Sequence, residues 1–125
     1  RMIAEALLSL VLSAGPNKMP DSTYTGPWYV PEAEPFRKCV ISRESGGNYR
    51  ADGRYGSGAY QFIQSTWDHY AELAGHAEYV GVRPYKAPVY VQDAVFWRTF
   101  WKGKGRHHWS AIHAETIGKK IKQCT

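Results

Sequence analysis

The sequence predicts an α+β domain that is predominantly α, with a small glycine-rich β element. Two patterns predict it. Apolar residues recur at helical spacing in several stretches that open on proline or serine and close on glycine, and five glycines (Gly46, Gly47, Gly53, Gly56 and Gly58) crowd the interval between the first two of those stretches. A length of 125 residues suits one core.

From the N-terminus, Met2–Ser13 (MIAEALLSLVLS) is apolar nearly all round and stops at Gly15-Pro16. Glu5 interrupts it and only Arg1 precedes it as a basic residue, so a docked helix is the reading and a remnant targeting segment the alternative. Residues 15–35 hold five of the seven prolines (Pro16, Pro20, Pro27, Pro31, Pro35), which disfavour helix and give an extended arm; Trp28 and Tyr29 keep that arm on a surface. Residues 1–35 are thus an apolar helix plus a proline-rich arm, suggesting a protein partner that docks there, and residues 36–125 form a compact domain.

Pro35 suits a first helical turn, and PFRKCVISRES ends at Gly46-Gly47. A short strand is expected at Ala59–Ile63. Ser65 is placed to cap the next helix, with Asp68 as a weaker capping-box partner. Trp67, Tyr70, Ala71 and Ala74 lie on that helix's buried face, and Gly75 ends it. Residues 75–88 form a loop carrying Pro84 and Pro88. A third helix is expected from Pro88 to Trp101, with Tyr90, Ala94, Trp97 and Trp101 on one face. A fourth, from Ser110 to about Lys122, aligns Ala114, Ile117 and Ile121.

The net charge of +5 is lopsided. Residues 1–97 carry 9 basic and 10 acidic side chains, whereas residues 98–125 carry 7 basic residues and only Glu115, a net of +6. A basic end suits nucleic acid, an anionic membrane surface or an anionic wall polymer, or serves only solubility. The motifs of specific nucleic-acid binders are missing, and no apolar run approaches the roughly 20 residues of a spanning helix. Two cysteines, Cys39 and Cys124, leave two readings open: a long-range staple formed outside the cytosol, or two buried thiols within it.

Chemistry concentrates on the helix over residues 35–45. At 100° per residue Phe36, Cys39, Val40 and Ile41 span one apolar arc, and Glu44 falls inside it. Glu44 also sits in the last turn, at the negative end of the helix dipole. Burial and dipole both disfavour a carboxylate, the setting that suits a general acid; a glutamate at a frayed helix end, half in water, is the competing reading.

The next residues carry a resemblance. Glu44-Ser45-Gly46-Gly47-Asn48, followed by Gly58-Ala59-Tyr60-Gln61 and Ser65-Thr66-Trp67, resembles the lysozyme-like superfamily of glycan-strand cleaving enzymes, close to soluble lytic transglycosylases and resuscitation-promoting factors. Cys39 with a cysteine near the C-terminus, and Ala87-Pro88 through Gln92-Asp93-Ala94-Val95, are similar to the transglycosylase-like domains of actinobacteria and their phages. The resemblance covers roughly residues 36–124. It implies a lysozyme-like fold and peptidoglycan cleavage between N-acetylmuramic acid and N-acetylglucosamine, with Glu44 as the catalytic acid. Gln61 and Thr66 match cleft positions, and Ser45, Asn48, Tyr49 and Tyr60 are the further substrate-binding candidates. Aromatic faces of Tyr49, Tyr60 or Trp67 could pack on pyranose rings, although core is the better reading for Trp67; Tyr55, like Tyr49, is read as cleft rather than core. Resuscitation-promoting factors place a cysteine directly before the glutamate, where this chain has Arg43. The Cys39–Cys124 bond is therefore an expectation for this chain rather than a carry-over. Arg43 opposes an acid role for Glu44 unless it points to solvent.

A two-carboxylate hydrolase needs a second acid at roughly 5–5.5 Å or 6.5–9.5 Å. Asp52 is the nearby candidate, while Asp68 is better read as a cap. Without it the substrate's own acetamido or 6-hydroxyl group would attack. His107, His108 and His113 read as surface residues rather than a metal site, and no cofactor is expected. The expectation is a lytic transglycosylase or muramidase at the cell envelope, outside the cell, or on a phage tail, binding glycan strands and not nucleic acid. The alternative is a non-catalytic wall-binding or phage-tail structural module.

Overall fold

The computed structural model describes residues 15–109 and Cys124. The helices expected at Met2–Ser13 and Ser110–Lys122, and His113, lie outside the described residues. The described part is predominantly helical: α1 (Glu34–Ser45), α2 (Gln64–Leu73) and α3 (Val89–Phe100), joined by short 3-10 turns. None of these helices is long and apolar enough to cross a membrane.

Helix α3 is the axis. Every residue from Val91 to Trp97 is buried, so the helix is covered on all sides rather than on the single expected face, and Tyr90 is left largely exposed, its ring 5.7 Å from that of Tyr24. Phe96 stacks on Tyr60 at 4.6 Å and lies 4.8 Å from Trp109, while Phe36 of α1 meets Phe100 at 5.5 Å. This aromatic core is why large side chains fill the α3 sequence. Helix α1 ends as its glycines dictate: Gly46 takes the left-handed conformation (φ 66°), and the amides of Gly46 and Gly47 donate to the carbonyls of Ser42 and Ile41.

Two local expectations are corrected. Ala59–Ile63 is not a strand. The described β structure is two isolated bridges, from Ser57 to Asp52 and to Phe62, and the residues between Ser57 and Phe62 form a tight turn with Gly58 at φ 82° and Gln61 at φ 53°. The glycine lets the chain reverse where an extended segment would have carried Tyr60 away from Phe96. Ser65 is not the cap of α2. The helix starts at Gln64 without a side-chain cap, because the carbonyl of extended Ile63 already accepts from the Trp67 amide. Asp68 instead accepts from the Gly81 amide and from Gln64 Nε2, tying α2 to the loop that follows it.

The proline-rich arm packs onto the helices, with Met19, Tyr24 and Ala33 buried in the core. Its anchor is polar. Asp93 of α3, fully buried, accepts from the Thr23 amide and hydroxyl at 2.9 and 2.8 Å and from the hydroxyls of Tyr49 and Tyr60 at 2.6 and 2.5 Å. Arg37 of α1, also fully buried, lies 3.7 Å from Asp93 and donates to Glu34, the Pro20 carbonyl and the Tyr60 hydroxyl. Burial, reinforced by the Asp93 carboxylate, pushes both phenols above the usual tyrosine range, so they remain donors.

Cys39 and Cys124 are joined in a disulfide, Cα atoms 5.7 Å apart, across a separation of 85 residues.

Two predictions follow from these ties. Asp93→Ala strands Arg37 and two phenols in the interior and should cost about 3–5 kcal/mol in urea unfolding, whereas Asp93→Asn, which keeps one of the two acceptor oxygens, should cost less. Reduction of the disulfide with dithiothreitol should lower stability by up to about 4–5 kcal/mol, read from denaturation with and without reductant.

Candidate functional site

Glu44 occupies the last turn of α1 with its side chain 27% exposed, neither buried outright nor free in water. Its neighbour Arg43 does not point to solvent. The Arg43 side chain is only 12% exposed, and its Nη2 and Nε lie 2.7 and 3.2 Å from Glu44 Oε2; Nη2 also donates to the Trp109 carbonyl. The cation thus sits on the carboxyl that the sequence marks as the acid.

The turn that follows Gly58 is held by three side chains, Ser45, Trp109 and Gln92. Ser45 Oγ donates to the Ala59 carbonyl at 2.8 Å and reaches Ile41 O at 3.2 Å. The Trp109 indole N–H donates to the Tyr60 carbonyl at 3.1 Å. From α3, Gln92 accepts from the Ala59 amide at 2.9 Å and donates to the carbonyls of Tyr49 and Ala87. Glycines make room. A Cβ on Gly58 would stand 2.6 Å from Gln92 Oε1, and one on Gly56 would stand 2.2 Å from the Gln61 carbonyl oxygen. Gln61 follows in the left-handed region, partly exposed, with Nε2 on the Gly58 carbonyl and Oε1 over Gly53, whose missing Cβ would come within 2.3 Å of it. A non-glycine residue held there costs free energy that the surrounding bonds must offset.

The expected site residues separate into groups. Ser45 is brought against the turn that carries Gln61, its hydroxyl spent on that turn, while Glu44 itself pairs with Arg43. Thr66 is partly buried in the first turn of α2, next to buried Trp67, which is core. Asn48 is exposed and accepts from the Arg50 amide. Tyr49 points its hydroxyl into the Asp93 network. Tyr60 requires correction as a sugar-facing ring: it is 1% exposed, sandwiched by Phe96 and edged by Trp109, with no face free for a ligand. Tyr55 stands 76% exposed. Asp52, the candidate second carboxylate, is half exposed and pairs with Arg83 at 2.5 Å. His107 and His108 stack at 4.3 Å on the surface side of Trp109; burial, then the neighbouring His107, lowers the His108 pKa. Among the described residues no three histidine, cysteine or acidic side chains are placed to hold a metal.

Trp109 and Gln92 were missed as builders of the site. The only signal for Trp109 was a lone tryptophan in a basic, histidine-rich stretch. Its placement depends on the chain reversal after α3, where Trp101 and Lys102 take positive φ and Gly105 packs so close that a Cβ would lie 1.8 Å from the Thr99 carbonyl oxygen.

Fold and site together define a small, disulfide-stapled, predominantly helical domain that presents an acid from a helix end beside a glycine-rich turn. Comparison with known proteins gives a more particular likeness. Over 74 residues, 58% of this chain and 30% of the relative, the chain is 45% identical to the probable transglycosylase SceD of Staphylococcus aureus strain Newman, with the same figures for strains USA300 and COL. The chain thus matches less than a third of the length of these curated relatives. No family model matches the chain, and no solved structure matches it.

Gly56→Ala should force the Gln61 carbonyl aside and cost about 1–3 kcal/mol. Urea unfolding and displaced amide NMR signals over residues 57–62 check it.

Proposed function

We propose that this domain cleaves peptidoglycan glycan strands between N-acetylmuramic acid and N-acetylglucosamine, as a lytic transglycosylase with Glu44 as the general acid, acting at the cell envelope. The observation that carries the reading is a part-buried Glu44 in the last turn of α1, next to Ser45, whose hydroxyl binds the turn that bears Gln61. The likeness to the probable transglycosylase SceD supports it.

In this mechanism the Glu44 carboxyl gives its proton to the glycosidic oxygen. The bond from that oxygen to the muramoyl C1 breaks, and its electron pair stays with the departing sugar. The electron-poor C1 is taken by the substrate's own acetamido oxygen or 6-hydroxyl. Attack by the hydroxyl returns a proton to the Glu44 carboxylate and leaves a 1,6-anhydro end. Asp52 is paired with Arg83 on the exposed side of the loop, which favours this single-acid course over a two-carboxylate hydrolysis. Gln61 offers its free amide hydrogen and oxygen to sugar hydroxyls and acetamido groups, and Thr66 offers a hydroxyl.

A wall-binding module without catalysis is the second reading, and the Arg43–Glu44 ion pair is the observation that favours it, because Arg43 already occupies one oxygen of that carboxyl.

Glu44→Gln separates the two. The enzyme should lose at least about 10²-fold in release of soluble muropeptides while still sedimenting with purified peptidoglycan. A wild type that releases nothing sinks the enzymatic reading. Mass spectrometry of the products should find anhydro ends; reducing ends would make the domain a muramidase.

A further inference from the structure

Neighbouring residues on a helix do not face each other, since successive side chains diverge by about 100°. Arg43 and Glu44 are in contact all the same, because the Arg43 guanidinium is drawn across the helix end by a second partner, the Trp109 carbonyl. Trp109 in turn holds the Tyr60 carbonyl through its indole N–H, and Ser45, the residue after Glu44, holds the Ala59 carbonyl. The contacts close a ring from the end of α1 through Arg43, Trp109 and the 58–61 turn back to Ser45. Within it the guanidinium places both Nε and Nη2 on a single carboxyl oxygen, Oε2. No described residue hydrogen-bonds Oε1.

We propose that Arg43 is a positioning residue that grips Oε2 and reserves Oε1 as the oxygen that carries and delivers the proton. The inference rests on Glu44 being the general acid. A protonated carboxyl has one carbonyl oxygen, which accepts, and one hydroxyl oxygen, which donates. With two Arg43 N–H groups on Oε2, that oxygen is the acceptor and the proton is confined to Oε1. The grip is compatible with both states of the acid. Before transfer it fixes the orientation of the O–H. As the proton leaves Oε1 for the glycosidic oxygen, the C1–O electron pair stays with the leaving sugar, and the charge growing on the carboxyl is met by a guanidinium already in place. Arg43 itself neither gains nor loses a proton. The contact that argues against catalysis in the resting site thereby serves the step that follows, and the planar fork explains why arginine is suited to it.

Steady-state kinetics on soluble glycan strands test the assignment, using the full chain and its variants. Arg43→Ala should lower kcat by about 10²-fold and leave KM within about twofold, the split expected when a transition-state contact is lost. Arg43→Lys should recover part of kcat, and guanidinium ion in solution should restore activity to Arg43→Ala but not to Glu44→Gln. Circular dichroism melts check each fold, and Arg43→Gln is read instead if the alanine variant melts early. The assignment is overturned if either variant keeps kcat within about threefold of wild type. It is equally overturned if lost activity returns with neither lysine nor guanidinium, since that marks a merely structural arginine. Wild type active, Glu44→Gln dead and Arg43→Ala active defeats this inference alone; wild type that releases no muropeptides defeats the proposed function and this inference with it.

Discussion

The structure depends on one buried charge. Asp93 lies on the most enclosed helix, and removing a carboxylate from water is affordable only when its oxygens are fully engaged. Both are. Oδ2 takes the backbone and hydroxyl of Thr23 from the arm, and Oδ1 takes the hydroxyls of Tyr49 and Tyr60 from the loop and the turn. Arg37 from α1 supplies the compensating charge and extends the network to Glu34 and Pro20. Four segments thus converge on the one carboxylate that α3 carries. Because a half-satisfied buried network is worse than none, each segment's position is fixed by all the others. The arm is included, and its packing follows from Thr23 as much as from Met19 and Tyr24.

That constraint reaches Glu44 indirectly. Tyr60 is pulled inward by its hydroxyl, so the turn around it must be tight, and the backbone groups of Ala59 and Tyr60 are left facing α1, α3 and Trp109. Ser45, Gln92 and Trp109 each take one of them. The glycines are needed here because backbone must approach backbone: Gly56 lies against the Gln61 carbonyl and Gly58 against the Gln92 amide. The disulfide acts on the same helix, holding α1 at Cys39, five residues before Glu44, to Cys124. Glu44 is therefore carried by a helix anchored at Arg37, Cys39 and Ser45, the rigidity that the proposed catalysis requires.

Helix existence and the glycine stop of α1 were legible in the sequence because they are local: proline, glycine and apolar spacing act within a turn or two. The strand over Ala59–Ile63 was not, since its apolar residues fit a strand and an inward-turned loop equally well, and only the distant carboxylate of Asp93 decides between them. Tyr60 was misplaced for the same reason, a tyrosine beside glycine reading as cleft when its hydroxyl partner lies 33 residues away. The single-face reading of α3 failed because periodicity cannot see a helix covered on every side. The partial burial of Glu44 was legible through the apolar arc it interrupts. The direction of Arg43 was not, because the carbonyl that turns it belongs to Trp109, 66 residues downstream.

The basic end of the chain also takes on a different meaning. Composition alone reads the +6 of residues 98–125 as a patch for an anionic polymer. Two of its cations are already employed within the fold. Arg98 lies against the rings of both Trp28 and Trp101, 4.8 and 4.0 Å from their centroids, and these rings meet at 5.0 Å, clamping the arm to the end of α3. Arg106 covers Phe36 and Phe100 at 4.6 and 5.3 Å, closing the core where α1 and α3 meet. Guanidinium planes suit these aromatic faces, whereas ammonium groups prefer water. Among the described residues of this stretch both arginines stack on aromatic rings, Arg106 while still exposed, and both lysines, Lys102 and Lys104, are exposed. The arginines thereby hold in place the reversal that brings Trp109 to Arg43 and so to Glu44.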